Sequence, residues 1–552
     1  MIEVVCKNTG LTHAYPEGKT LMEISKEIGL SLQYPVLGAL VNNVVRDLSY
    51  KVYTPKTIEF FDLTYAQGYK MYNNSLGFLL YKAIVDLHPE AAFRIEHSVT
   101  NGFYCEVDAM ENQNNEELLP RIKQRMNEII EADLPFVSQI MLAEDAYKLF
   151  DDVRHKDKLN LMKSRNKLYI SIQSVGGVYN KISSRLVPST GILKTWELHT
   201  YYNGFVLAFP NPENLSEAFG YKETPKLFKI FREHREWVNI LKIPYIYDLN
   251  NIVDKKQENK LIHISEAFHE KKIAKIADEI YQDRDNIKIV LIAGPSSSGK
   301  TTTCKRLSVQ LNVLGFKPQQ LSLDDYFVNR VDTPRDANGE YDFESIEALD
   351  LELLNSNILD LLAGKRIEIP KFDFHTGERY YDGETLCLEE KSLLVMEGIH
   401  GLNPKLTAQI NEKLKYRIYV SAITQIAIDD QNLIRSSDNR LIRRLVRDFQ
   451  FRGYSAVDTL KRWESVTRGE KRNIFPYQEN ADSMFNSASL YELGVLKTHI
   501  EPLLKMVPEN ADEYAESVRL LDFLSLFKPI SEEMVPPTSI LREFLGSSSY
   551  DY

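Results

Sequence analysis

The stretch IVLIAGPSSSGKTTTCKRL, residues 289–307, constrains what this chain can fold into more than any other segment. Its apolar run, Ile289 to Ala293, is short and rich in Ile and Val, as expected for a strand buried on both faces of a parallel sheet. A loop of Gly294, Pro295, Ser296, Ser297, Ser298 and Gly299 follows, and with Lys300 and Thr301 it fits G-x-x-x-x-G-K-[ST]. Glycines in such a loop let backbone N–H groups turn inward on an anion, and the N-terminus of the next helix adds its partial positive charge. The pattern therefore predicts a strand–loop–helix unit that binds a nucleoside triphosphate through residues 294 to 302, Thr302 included. Lys300 would reach the terminal phosphates and the Thr301 hydroxyl would hold Mg2+. This unit alone does not separate a small-molecule kinase from an ATPase or a GTPase.

Later segments supply the groups that a phosphoryl transfer needs. LSLDDYFVNR, 321–330, sets Asp324 and Asp325 at the end of another short apolar run, where a carboxylate suits a base that takes a proton from an attacking hydroxyl. SLLVMEGIH, 392–400, is a further buried-strand pattern, and it ends in Glu397, a candidate for the Mg2+ shell. NRLIRRLVRDFQFRG, 439–453, gathers Arg440, Arg443, Arg444, Arg447 and Arg452 on one helical stretch, and cations over the transferred group stabilise its charge.

With GPSSSGKTT, DDYF, DFESIEALD (342–350), IPKFDF (369–374), MEGI and RLIRRLVRD in this order, residues from about 285 to 480 resemble the uridine kinase and phosphoribulokinase family of P-loop kinases. The resemblance implies an α/β fold, a doubly wound parallel sheet, with ATP and Mg2+ as cofactors. It makes Asp324 the general base, with Asp325 as the fallback. It puts Thr301, Glu397 and Asp324 around Mg2+, and Arg447 and Arg452 on the ATP phosphates. For the substrate it implies Asp324, Phe327, Glu344, Phe372 and Arg444: Glu344 stands where the family has an aspartate on the ribose hydroxyls, and Phe372 replaces a tyrosine beside the base. FDFHTGER departs from the family's YDFxxHxR, so Gly377 falls at the histidine that reads the pyrimidine edge, with His375 two residues away. Tyr454 likewise replaces a substrate-binding arginine.

Ahead of this domain, PEGKTLMEI (16–24) and ALVNNVVRDLSYKV (39–52) resemble a TGS domain, a small ubiquitin-like α+β module, over residues 1–64. LLYKAIVDLHPE (79–90), NGFYCEVD (101–108) and VPSTG (187–191) resemble the α+β editing domain of threonyl-tRNA synthetase, over 65–235. The metal-binding pairs of that domain are replaced here by Asn74 and Phe78, and by Ile182 and Leu186, so metal-dependent deacylation is not expected. A helical connector is expected over 236–284, the P-loop domain over 285–500, and a helical tail over 501–552 whose last residues fray.

At 552 residues the chain has room for several domains. Its net charge of -11 argues against a general nucleic-acid coat, although RNA contact through the front domains stays open. No apolar run approaches the roughly 18 residues that span a bilayer, and a cytoplasmic, homo-oligomeric protein is expected. Its four cysteines stand far apart and read as reduced thiols. The leading reading is an ATP-dependent nucleoside kinase for uridine or cytidine. The alternatives are an RNA-, tRNA- or ribosome-associated regulator switched by ATP, and a P-loop kinase of another small hydroxyl acceptor.

Overall fold

The computed structural model describes residues 1–551 except 100–101, 109–114, 183, 336–338, 340 and 374–375, so His375 lies outside the described residues. The first residues form a five-stranded sheet in the order Leu11–Tyr15, Ile2–Cys6, Lys56–Phe61, Gly38–Val41, Val44–Asp47. One amphipathic helix, Leu21–Ile28, packs on it through Leu21 and Ile24 and starts at a capping box in which Thr20 and Glu23 satisfy each other's backbone N–H.

The next unit is built on the long helix Ala66–Leu87, whose Leu76, Phe78, Leu79 and Leu80 are buried. It packs against a four-stranded antiparallel sheet of Glu197–Tyr201, Gly204–Ala208, Gly102–Val107 and Phe93–Val99. Phe78, Ile182 and Leu186 are all core residues of this unit, and Asn74 donates from its side-chain amide to the Ser184 hydroxyl. The four positions are therefore filled by packing and by the polar contacts of Asn74, and among the described residues no cluster of metal-ligating side chains forms. In the VPSTG turn, the Thr190 hydroxyl donates to the Ile129 carbonyl and accepts from the Leu134 N–H, tying the turn to a neighbouring helix end.

The second half is a parallel sheet of β1 (Ile289–Ala293), β2 (Lys317–Ser322), β3 (Ser392–Glu397), β4 (Lys415–Ser421) and β5 (Ser483–Asn486) in the order β2-β3-β1-β4-β5. All five residues of β1 are buried, as its Ile/Val run requires. Helix α1, Lys300–Val313, leaves the carboxyl end of β1, and the chain order reverses beside it, which is where open α/β sheets place a ligand crevice. Helix α2, Ser436–Arg452, lies over that edge.

One apolar core runs through the connector, the sheet and the tail: Val238, Leu249, Ile262 and Ile276 share it with Val290, Ile418, Leu520 and Phe544. The connector is packed against the sheet domain, not a free hinge. Toward the tail's end Leu541, Phe544 and Leu545 are buried, and the Ser549 N–H donates to the Pro537 carbonyl.

Candidate active site

The P-loop is shaped by close backbone approach. A Cβ on Gly294 would lie 2.0 Å from the Val420 carbonyl oxygen, so only glycine fits there. Helix α1 starts at Gly299 without a side-chain cap, which leaves its first N–H groups for a ligand. One of them is already engaged: the Thr302 N–H (3.1 Å) and hydroxyl (2.7 Å) both donate to Glu543 Oε2, brought in by the C-terminal tail.

Helix α2 holds the loop from above. Arg440 Nη1 donates to the Ser296 carbonyl at 3.1 Å, Arg443 Nη1 to the Ser297 carbonyl at 3.3 Å and Arg444 Nη1 to the Ser296 hydroxyl at 2.8 Å. Two buried carboxylates keep these guanidiniums in register: Glu470 pairs with Arg440 and also accepts the Ser296 N–H at 2.9 Å, and Glu492 pairs with Arg443 at 2.6 Å. Buried Asp448 gathers Arg444, Arg447 and Arg452 at 3.1, 3.2 and 3.4 Å. Burial first, and then Arg452, pull the Arg447 guanidinium down to about 10, with Asp448 opposing.

Register aligns the acids with this loop. Ser322 of β2 and Ile292 of β1 both pair with Glu397 of β3, so Glu397, Asp324 and the P-loop share the carboxyl edge of the sheet. Thr301 Oγ1 donates to Glu397 Oε1 at 3.0 Å. Ser322, not Asp324, caps the short turn Leu323–Tyr326, which frees the Asp324 carboxylate. Its side chain is exposed; desolvation by the surrounding protein raises it above the usual carboxylate range, and Lys300, Arg452 and Arg447 pull it back down. Glu397 is pushed up to about 7 by burial, with Lys300 opposing and Asp324 and Glu543 adding to the rise. Asp325, the fallback base, is also raised by burial, but its first counter-charge is Lys371, away from the P-loop cations.

Glu344 is likewise raised to about 7 by burial and by Glu470, against Arg444 and Lys300, and its Oε2 is buried without a hydrogen-bond partner. Beside it an aromatic wall forms: the Phe327 ring lies 5.5 Å from Phe372 and 6.3 Å from Phe343. Gly377 turns the hairpin Lys371–Tyr380 at φ +77°, and a Cβ there would lie 2.6 Å from Arg330 Nε. A histidine there would be strained at this φ and would have to displace the Arg330 side chain. Tyr454 is covered by the Arg462 guanidinium at 4.3 Å.

The structure brings together Gly294 to Thr302, Asp324, Glu344, Glu397, Arg444, Arg447 and Arg452, with Phe327 and Phe372 on the adjoining wall. Sequence reasoning missed Asp448, Glu470, Glu492 and Glu543; the acid within RRLVRDF was the one visible sign of the first.

Residues 289–493 match the family model described as "Phosphoribulokinase / Uridine kinase family". A uridine kinase of Schizosaccharomyces pombe is 32% identical over 192 residues, 34% of this chain and 37% of that protein. A uridine kinase of Staphylococcus haemolyticus is 27% identical over 222 residues, 40% of this chain and 98% of that protein. A threonine–tRNA ligase of Clostridium kluyveri is 28% identical over 221 residues, 40% of this chain and 34% of the ligase. The chain thus spans about a third of the fission-yeast and clostridial proteins. Residues 289–493 are a domain of the phosphoribulokinase / uridine kinase family, and the N-terminal region ahead of it is related to threonine–tRNA ligases.

Proposed function

We propose that this chain is an ATP-dependent, Mg2+-requiring nucleoside kinase that transfers the γ-phosphoryl group to the 5'-hydroxyl of uridine or cytidine. The observation that carries this reading is the shared sheet edge of Asp324, Glu397 and the P-loop, with the unpaired Glu344 oxygen beside it. Asp324 takes the acceptor's hydroxyl proton, that oxygen forms the new bond to the γ-phosphorus, and ADP leaves. Lys300, Arg447 and Arg452 offset the phosphate charge. Glu344 accepts hydrogen bonds from ribose hydroxyls, and Phe327 and Phe372 flank the base.

The donor set suits Mg2+: the Thr301 hydroxyl and the Glu397 and Asp324 carboxylates are hard oxygens, and burial keeps Glu397 high in spite of Lys300. When bound, Mg2+ supplies positive charge on the phosphate oxygens and pulls these carboxylates toward ionisation.

The test is ADP release from Mg-ATP by the full chain across a panel of nucleosides. Phosphorylation of uridine or cytidine is expected; turnover of no nucleoside rejects the proposal. A second reading, a kinase of another small alcohol, is favoured by the Gly377–Arg330 contact, which leaves no histidine at that base-reading position. Sugar phosphates in the same panel separate the two. Salt-sensitive tRNA binding without any turnover would point instead to the RNA-associated regulator.

A further inference from the structure

A cavity of about 680 Å³, lined by none of the P-loop residues, lies between the front domains and the sheet domain. Its wall combines the edge strand Val44–Asp47, the helix Ala66–Leu87, the strand Phe93–Val99 and the segment from Ile423 to Ser436 that leads into α2. Its volume is in the range of small-molecule sites and well above that of a lone ion.

Three cations on this wall lack a carboxylate partner. Lys181 Nζ donates only a long 3.4 Å bond to the Ile182 carbonyl, Arg435 Nη2 a 3.4 Å bond to Asn74 Oδ1, and Arg165 Nη2 a 2.8 Å bond to the Ser525 hydroxyl. Among the described residues none of the three forms an ion pair. Three of the carboxylates nearby are already engaged, Asp429 by Lys158 and Asp438 and Glu516 by Arg519, while Asp522 faces Arg165 without forming an ion pair with it. Burial, then Arg165, push the Lys181 ammonium down to about 8. Half-buried cations without a carboxylate partner are held at a cost, and a bound anion would relieve them.

Polar atoms on the same wall are also left over. His97 Nε2, His234 Nδ1 and Gln67 Oε1 are buried without a hydrogen-bond partner, and burial holds both imidazoles neutral. They call for an organic body with donors and acceptors, not for a bare phosphate. His97 stacks on Phe231 with ring centroids 3.7 Å apart, which adds a planar aromatic surface. Anionic charge, a polar body and a flat face together describe one chemical class.

We propose that this cavity binds a nucleoside phosphate, its phosphate on Lys181, Arg435 and Arg165 and its polar body against His97, His234 and Gln67. This second site does not depend on the reaction proposed above. Its position gives it a route to the P-loop, because Arg435 immediately precedes α2 and the same helix carries Arg440, Arg443 and Arg444.

The experiment is calorimetric titration of the full chain carrying Lys300→Ala, which disables the P-loop, with UMP, UTP and AMP as probes. At least one is expected to bind one-to-one, and Lys181→Met and Arg435→Gln, each added to that background, are each expected to weaken it at least tenfold. Lys181→Met removes a half-buried charge and keeps the side-chain length, so the ligand-free Tm should hold or rise. No binding by any of the three probes, or binding that both substitutions leave unchanged, overturns the proposal. A lower ligand-free Tm for Lys181→Met overturns it as well, since the charge would then be serving the fold.

Discussion

Lys300 faces both Asp324 and Glu397, but Arg452 and Arg447 act on Asp324 alone, and this separates their roles. Asp324 is freed by the Ser322 cap and is exposed, so it can meet an acceptor hydroxyl. Asp324→Asn keeps the shape and removes the base, so kcat should fall by about 10²–10⁴-fold while ATP binding persists. Unchanged turnover would move the base elsewhere, with Asp325 next in line. Glu397 is held near 7 by burial in the protein without nucleotide, above its unfolded value of 4.5. Its folded value is the higher one, so the stability it contributes is fully present below about pH 4.5 and is lost as pH rises through 7. Glu344 shifts in the same direction. The Tm of the nucleotide-free protein should therefore drop less between pH 5.5 and 8 in Glu397→Gln than in the unsubstituted chain. Parallel Tm curves across that range would refute the assignment.

Helix α1 shows how much of the site local sequence can announce and where it stops. The P-loop was legible because its constraints are local: Gly294 must clear the Val420 carbonyl, Lys300 and Thr301 follow at fixed spacing, and a buried Ile/Val strand precedes them. Asp324 and Glu397 were legible for the same reason, each closing a short apolar strand. Glu543 and Glu492 were not, since pairing with Thr302 and Arg443 across 241 and 49 residues leaves no spacing to read. Glu470 was hidden in the same way: on its own helix, Ala456–Asn473, it looks like one more charge on a polar face. Glu543 has a consequence for binding. Its carboxylate occupies an N–H at the start of α1, a place where anions are stabilised by about 0.3–1 kcal/mol and which a phosphate would otherwise use. Glu543→Gln should lower the KM for ATP by about two- to fivefold with kcat little changed. A raised KM would mean that the tail supports the nucleotide instead of competing with it.

Across the whole molecule the front domains and the sheet domain are joined by charge as well as by apolar packing. Lys158, on the helix Lys156–Ser164, reaches Asp429 of the sheet domain at 2.8 Å, with both side chains almost fully excluded from water. Gln431 of the same segment donates from its amide to the Phe93 carbonyl, and the Asp430 carbonyl accepts the Ile95 N–H at 2.8 Å, so the turn at 430–431 is tied to the front sheet. Motifs in either half gave no sign of this, because neither Lys158 nor Asp429 lies in a recognisable pattern. A buried pair of this kind adds little net stability when both partners are present, but removing one leaves a charge stranded. Lys158→Met should cost about 3–5 kcal/mol on denaturant unfolding, and the double variant Lys158→Met with Asp429→Leu should recover most of it. The single substitution should also unsettle both halves together, since Asp429 lies in the segment that precedes α2. If Lys158→Met were neutral, or if the double variant were no better than the single one, the ion pair would not be what couples the two halves.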